Sequence, residues 1–385
     1  MIWFLMLIPV LATAVAFMFI PKHKITWWEY LALYGVTILT ILISKFAIEK
    51  SMTSDTEYWS EIAIEVVYEG KWDEYIDETC ECCCDDEGMN CSTYDCSWIK
   101  HHPASWRIKS NRTSISISQS QYERVKAKWG NEERTGSHSR KHSYDDGIFS
   151  SFWTRERDLI ECMVTKHSYE NRVQAAHTVF DFEEVTNEDI VKYKLYDYPK
   201  IYDNYKQNHI LGNGDASQKY AEKTMRILNA ELGPKKEAKA FILLFENQTK
   251  ESGIMQEAYW KGGNKNEFVL TIGIDKDKKV QWVHPFSWAE KSIVKVEARD
   301  YVLKQEYLNL SKISTFLYDE LDQKFVRKKF SEFNYLTVQP TSKSIIIVLI
   351  IVFIFNVGML IWFVYNEFDD EMMNTNSSGW NRRRY

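Results

Sequence analysis

The hydrophobic pattern divides the chain into apolar ends and an alternating middle. Ile2 to Ile20 holds no charged side chain, Trp27 to Phe46 holds only Glu29 and Lys45, and Ser344 to Tyr365 reads SIIIVLIIVFIFNVGMLIWFVY. Each run is roughly 19 to 22 residues long, enough at about 1.5 Å per residue to cross a hydrocarbon core of about 30 Å. Ile, Val and Phe surround the third run completely, so no face is left for water. Trp27, Trp28, Tyr30, Trp362 and Tyr365 stand at run ends, where amphipathic rings favour the headgroup layer. The first run has a rival reading as a secretory signal, because Ala12-Thr13-Ala14 has the small-x-small shape of a cleavage site. Against that reading, no basic residue precedes the run and further apolar residues follow before Pro21. The pattern predicts a transmembrane hairpin over 1–47, with spans at about 2–20 and 27–46 joined by Pro21–Ile25. It also predicts a transmembrane helix over 344–365 and a polar tail over 366–385.

Between the runs the periodicity changes. Ile62, Ile64, Val66, Val67 and Tyr68 read as a strand, and Ile alternates with Ser from Thr113 to Ser118, which is period two with one apolar face. A helix is expected over 120–130 and a polar loop over 131–148. Residues 48–165 thus read as a β-rich subdomain. From 166 to 343 the pattern is α/β. A tyrosine- and aspartate-rich connection over 169–210 is expected to pack by its rings. A helix from Ala216 to Leu232 follows, with Tyr220, Met225, Leu228 and Leu232 on one face and Gly233-Pro234 as its stop. Ala240 to Phe245 is a continuous apolar run, as in a strand covered on both sides. A helix over 250–260, a hairpin of strands over 267–274 and 279–283, and helices over 287–302 and 304–327 complete the expectation. The fold class is therefore α+β with an α/β-type layer, a soluble domain flanked by two N-terminal transmembrane helices and one C-terminal one.

Charge sets the expected orientation. The formal net charge of -6 excludes a general nucleic-acid binder, which needs a clear Lys/Arg excess. Lys22, His23 and Lys24 in the first loop and Arg382-Arg383-Arg384 in the tail share one side of a three-span protein. Their charge favours the cytoplasmic side and places the large domain outside. Lys50, Arg327, Lys328, Lys329 and Lys343 lie on the domain side, but long translocated segments weigh little in this rule.

Cys80, Cys82, Cys83, Cys84, Cys91 and Cys96 crowd into one short acidic segment followed by His101-His102. In an oxidising compartment these cysteines are disulfide candidates, with partners for Cys82, Cys83 and Cys84 expected across the loop at residues such as Cys91 and Cys96. A zinc site using thiolates and the histidine pair is the rival. Cys162, in an apolar segment, reads as a buried free thiol.

Two resemblances add to this. Tyr259-Trp260-Lys261-Gly262-Gly263-Asn264-Lys265-Asn266-Glu267, followed by FVLTIGIDKDKKVQWV, resembles the core of the TPM domain family over roughly residues 215–305. That likeness implies an extracytoplasmic domain beside a membrane anchor, in a family with members described as phosphatases or as modulators of membrane complexes. Trp72-Asp73-Glu74-Tyr75-Ile76, Tyr94-Asp95-Cys96-Ser97, His102-Pro103 and Trp106 resemble multi-pass membrane proteins of tailed phages and bacteria.

Candidate chemistry is sparse. Asp275 and Asp277 offer carboxylates to Ca²⁺ or Mg²⁺, or else form a solvated hairpin turn balanced by neighbouring lysines. Gly262-Gly263-Asn264-Lys265 offers backbone N–H groups to an anion, or else a tight turn. His284 is a candidate general base, and Cys162 with His167 a candidate nucleophilic pair. No G-x-S-x-G, Walker A, H-E-x-x-H or Rossmann fingerprint occurs, so no catalytic residue is assigned. The expected function is a disulfide-stapled extracytoplasmic domain on an integral membrane protein. It would bind or modulate a membrane or envelope protein through Trp282, Phe286 and Trp288. A TPM-like metal-dependent phosphatase and a cytoplasm-facing zinc module are the alternatives.

Overall fold

The computed structural model describes residues 15, 27–82, 92–110, 112–129, 132–137, 148–153, 162–176, 182–204, 206–338 and 340–366. The chain forms two compact units, one of residues 1–55, 169–181 and 330–385, the other of residues 56–168 and 182–329. Helix α1 (Trp27–Thr53) leads into strands β1 (Ser54–Glu69), β2 (Trp72–Ile76), β3 (Thr79–Cys82), β4 (Ser92–Asp95), β5 (Trp98–His102), β6 (Ser105–Ser110) and β7 (Ser114–Ser116). Helix α2 (Gln119–Trp129) precedes β8 (Glu132–Ser137), β9 (Ile148–Trp153) and β10 (Cys162–Glu170). The later part runs β11 (Ile210–Leu211), α3 (Gln218–Lys236), β12 (Lys239–Glu246), α4 (Glu251–Tyr259), β13 (Glu267–Ile274) and β14 (Val280–Ser287). Helices α5 (Ile293–Leu303), α6 (Leu310–Lys324) and α7 (Ser342–Asn366) end it.

In the first unit, α1 and α7 are both long and apolar enough to cross a membrane, over Leu31–Thr53 and Ser342–Phe363. Large apolar side chains such as Leu39, Leu42, Phe46, Ile350, Ile354 and Ile361 point outward and exposed, as they would not in the core of a soluble protein. The helices meet through Ile41, Val348 and Val352. One polar contact lies within that seam. The Thr37 hydroxyl donates to Asn356 Oδ1 at 3.2 Å, and Asn356 Nδ2 donates to the Val352 carbonyl at 2.7 Å, so a buried amide has partners on both its atoms. Apart from Val15, the first apolar run lies outside the described residues. Beyond the helix ends, Tyr169 Oη and Asn171 Nδ2 both donate to Asp55 Oδ2, and Arg172 pairs with Glu49 and Glu170.

The second unit holds the curled sheet and the α/β layer. In the larger sheet β6 and β9 flank the second half of β1 in antiparallel register, β7 and β8 extend the two edges, and β10 also pairs with β1. Val66, Ile108, Val125 and Met163 close its core under α2. Residues 132–137, expected as polar loop, pair with β9 instead, because Glu132 to Ser137 follow the register of Trp153 to Ile148.

The second sheet has the order β11-β12-β13-β14, parallel except for the β13–β14 hairpin. Alternation along β12 divides the core. Ala240, Ile242 and Leu244 face α3, α5 and α6, while Phe241, Leu243 and Phe245 face α4 and the 182–211 connection. The connection packs by its rings, with Tyr196 edge-on to Phe245 at 5.2 Å and Tyr198 edge-on to Phe241 at 5.7 Å.

Helix α3 departs from expectation twice. Tyr220 is exposed rather than part of the buried face, which Ala221 forms with Met225, Leu228 and Leu232. The helix also runs through Gly233-Pro234 to Lys236 and ends on left-handed Glu237. Gly233 serves close approach, since a Cβ there would stand 1.9 Å from the Ser60 carbonyl oxygen of β1. Strand β14 runs on to Ser287, so the helix expected from 287 starts at Ile293. The last soluble helix starts at Leu310, where the Asn309 side chain accepts from the Lys312 N–H.

Candidate functional site

The first residues of β12 and β13 carry charge into the aromatic face of the layer. Lys239 and Glu267 are register partners, each 1 % exposed, and both lie on the face of Phe241 and Val269. Beside Glu267 opens a cavity of about 420 Å³ lined by Tyr58, Tyr198, Tyr259, Trp260, Lys261, Gly263, Asn264 and Glu267 itself. Tyr58 comes from β1, Tyr198 from the ring-rich connection, and Tyr259 and Trp260 from the end of α4. The rings form a continuous wall. Tyr58 and Tyr198 lie 6.1 Å apart at 34°, and Tyr198 and Trp260 lie 5.3 Å apart at 53°. The Trp260 Nε1–H donates to the Tyr196 carbonyl at 2.8 Å, and its ring stands edge-on to Phe286 at 6.4 Å, so the wall is held from behind.

The turn after α4 places three successive residues in the left-handed region: Lys261 at φ 51°, Gly262 at 79° and Gly263 at 75°. Side chains at Gly262 or Gly263 would be strained there, and a Cβ on Gly262 would meet Phe182 at 2.9 Å. The turn reverses the chain so that Asn264 clamps the floor. Its backbone N–H donates to Glu267 Oε2 at 2.9 Å, and its Nδ2 donates to Oε1 at 2.9 Å. Tyr198 Oη adds a third bond to Oε1 at 2.6 Å. The anion presented to this glycine turn is therefore the protein's own Glu267. Burial, then the Glu267 carboxylate, push the Tyr198 phenol well above its ordinary range, so it stays a neutral donor. A hydrogen bond from Tyr259 Oη to Asp197 at 2.7 Å raises the Tyr259 phenol too and fixes its ring.

Lys239 packs against one of these rings, Tyr58, and against Phe241 behind it. Its ammonium sits 5.9 Å from the Tyr58 centroid and 5.5 Å from that of Phe241, and it donates to Gln207 Oε1. Burial brings its pKa down to about 7, against the opposing pull of Glu267 and Cys162. Also on β1, Glu57 is 2 % exposed and pairs with Arg327 and, at 3.5 Å, with Lys265. Burial raises its carboxyl, and the two cations pull the other way. These pairs join β1 to the α/β layer within the unit.

The residues singled out in the sequence fall elsewhere. Asp275 Oδ1 accepts from the N–H groups of Asp277 and Lys279, both at 2.9 Å, and Oδ2 accepts from Gln281 at 3.1 Å. That carboxylate organises its own turn. Among the described residues, no cluster of three or more His, Cys, Asp or Glu side chains is arranged to hold a metal ion. Phe286 is 1 % exposed, and the Trp282 and Trp288 indoles are half-buried, donating to the carbonyls of Gln248 and Gly263. Phe286 thus braces the layer from within, while the two indoles keep part of their surface exposed. His284 Nε2 meets Glu257 at 2.7 Å. Cys162 and His167 are five residues apart on one strand and so face opposite ways. The thiol contacts the Arg226 carbonyl at 3.0 Å, and the imidazole stacks on Trp59 at 3.6 Å.

Cys80 and Cys96 form a disulfide with Cα atoms 5.7 Å apart. The expectation that Cys96 serves Cys82, Cys83 or Cys84 is therefore corrected. The β3–β4 register sets Cys80 opposite Tyr94 and brings Cys96 beside it. Cys82 forms part of β3, and Cys83, Cys84 and Cys91 lie outside the described residues. His101 and His102 pair across the β2–β5 ladder with Asp73 at 2.7 Å and Glu74 at 2.9 Å.

No family model, curated protein or solved structure matches the chain. Of the recess residues, Tyr259 to Glu267 stand out in the sequence as one motif. Tyr58, Tyr198 and Lys239 are brought to it from distant segments.

Proposed function

We infer that this is a membrane-anchored binding protein whose α+β unit captures a ligand in the recess walled by Tyr58, Tyr198, Tyr259 and Trp260. The observation that carries this reading is the recess itself. Rings from three separate segments converge on a buried carboxylate already held by three hydrogen bonds. A fixed polar group at the bottom of an apolar cleft suits recognition, since little reorganises on binding. Under the same reading the TPM-like segment, residues 215–305, supplies the layer that carries the recess.

The apolar run over 2–20 adds a third span to α1 and α7, and the basic loop and tail place the α+β unit outside the cytoplasm. The Cys80–Cys96 disulfide supports that side, because such bonds persist in oxidising compartments. The test is labelling of intact cells with a membrane-impermeant maleimide. Labelling of Cys80 and Cys96 in whole cells, only after reduction, is the expected result. Labelling that requires lysis and no reduction would overturn the assigned side.

A further inference from the structure

We propose that the recess binds an alkylated ammonium group, with the phosphate that accompanies it in phosphocholine held at Lys261. This rests on the recess being the binding site, and it names the ligand's chemistry. Four aromatic side chains line the cavity, and such rings attract a cation over their faces. An alkylated ammonium sheds water more readily than a bare one, so an aromatic enclosure suits it. Glu267 at the floor supplies the countercharge, and its three hydrogen bonds keep it in place before any ligand arrives. Asp197 adds a second negative charge through its bond to Tyr259.

Lys239, buried behind one of these rings, sets its side-chain nitrogen 5.9 Å from the Tyr58 centroid. The cavity of about 420 Å³ exceeds a trimethylammonium group and leaves room for the rest of a headgroup-sized molecule. Lys261, exposed and lining the cavity, is a cation at hand for an anion linked to the ammonium. The shared chemistry comes from two sources, a phosphatidylcholine headgroup or a free phosphocholine ester.

The experiment is isothermal titration calorimetry of the full chain in phosphatidylglycerol nanodiscs. The probes are phosphocholine, tetramethylammonium and 3,3-dimethylbutyl phosphate, the last replacing the charged nitrogen with carbon. Phosphocholine is expected to bind at least about tenfold more tightly than the carbon isostere. E267Q and Y259L should each weaken phosphocholine and tetramethylammonium alike. K261A should weaken phosphocholine several-fold and leave tetramethylammonium unchanged. Y259L, at a half-buried position, keeps the test informative should E267Q fail to fold. Competition by phosphatidylcholine vesicles would assign the lipid source, and its absence the soluble one; both keep the ligand class. Equal binding of the isostere would overturn the ammonium assignment while keeping the recess as a binding site. Binding of none of the probes, to a chain with a native near-ultraviolet spectrum, would overturn the assignment too, while the labelling experiment independently decides the membrane reading.

Discussion

Lys239 makes the stability of the second unit depend on pH in the direction opposite to that of an ion-paired lysine, whose pKa is raised on folding. Its ammonium is buried against Tyr58 and Phe241, with Glu267 as the nearby anion, Cys162 beside it, and His209 as a neighbouring titratable group. Burial lowers its pKa from 10.5 to about 7. Between those values the unfolded chain holds a proton that the folded chain has released, so stability rises with pH. Below pH 7 both states carry the proton and the burial penalty is fully felt. From pH 7 to pH 9 the two pKa values give a gain of about 2 kcal/mol, and carrying the titration to pH 10.5 raises it to about 4 kcal/mol. Lys239→Met keeps the side-chain length, removes the titrating group and should flatten this rise. The assay is equilibrium urea unfolding of the detergent-solubilised full chain at half-unit pH steps, followed by tryptophan fluorescence. Subtracting the variant from the wild type cancels groups that titrate in both. Parallel profiles, with a difference changing by less than about 0.5 kcal/mol from pH 7 to 9, would refute the reasoning.

Three further outcomes are expected. Gly233→Ala should lower stability by about 1–3 kcal/mol in thermal unfolding, although alanine is the better helix former by about 1 kcal/mol, because its Cβ would press on the Ser60 carbonyl; a raised Tm would contradict the close approach. Asn356→Leu should weaken the α1–α7 pairing by about 0.6–2 kcal/mol, read as lower crosslinking between cysteines introduced at Ile41 and Val348. Peptide mapping without reduction should recover residues 80 and 96 in one linked species, and C80S with C96S should cost up to about 3 kcal/mol of stability under the chain-entropy account.

Much of the framework was legible because it depends on short-range periodicity. The apolar runs that become α1 and α7, the fully apolar β12 and the alternating edge of the larger sheet follow from which residues repeat at one, two or three to four positions. The long connection over 169–210 was readable as ring-packed because six tyrosines are spread along it, four of them between 193 and 202. Local signals misled where a distant segment decided the outcome. Gly233 looks like a helix stop in the sequence, yet the helix continues past it and the missing side chain makes room for β1. Glu132 to Ser137 look like loop until β9 supplies a partner for their backbone groups. Trp282, Phe286 and Trp288 look like one aromatic cluster in the sequence, which does not tell that Phe286 is covered by the layer.

The sequence by itself determined that apolar helices near both ends of the chain suit a membrane, that the domain between them is α+β, and that Tyr259 to Glu267 form an unusual turn. Tertiary structure alone decided that this turn would close on Glu267, that Tyr58 and Tyr198 would wall the same recess, and that Lys239 would lie among their rings. The reason is range. Periodicity and turn chemistry act over a few bonds, whereas the recess joins segments that lie far apart in the chain, as the bond from the Asn266 side chain to the Tyr58 carbonyl, 208 residues away, records, and only packing brings them together.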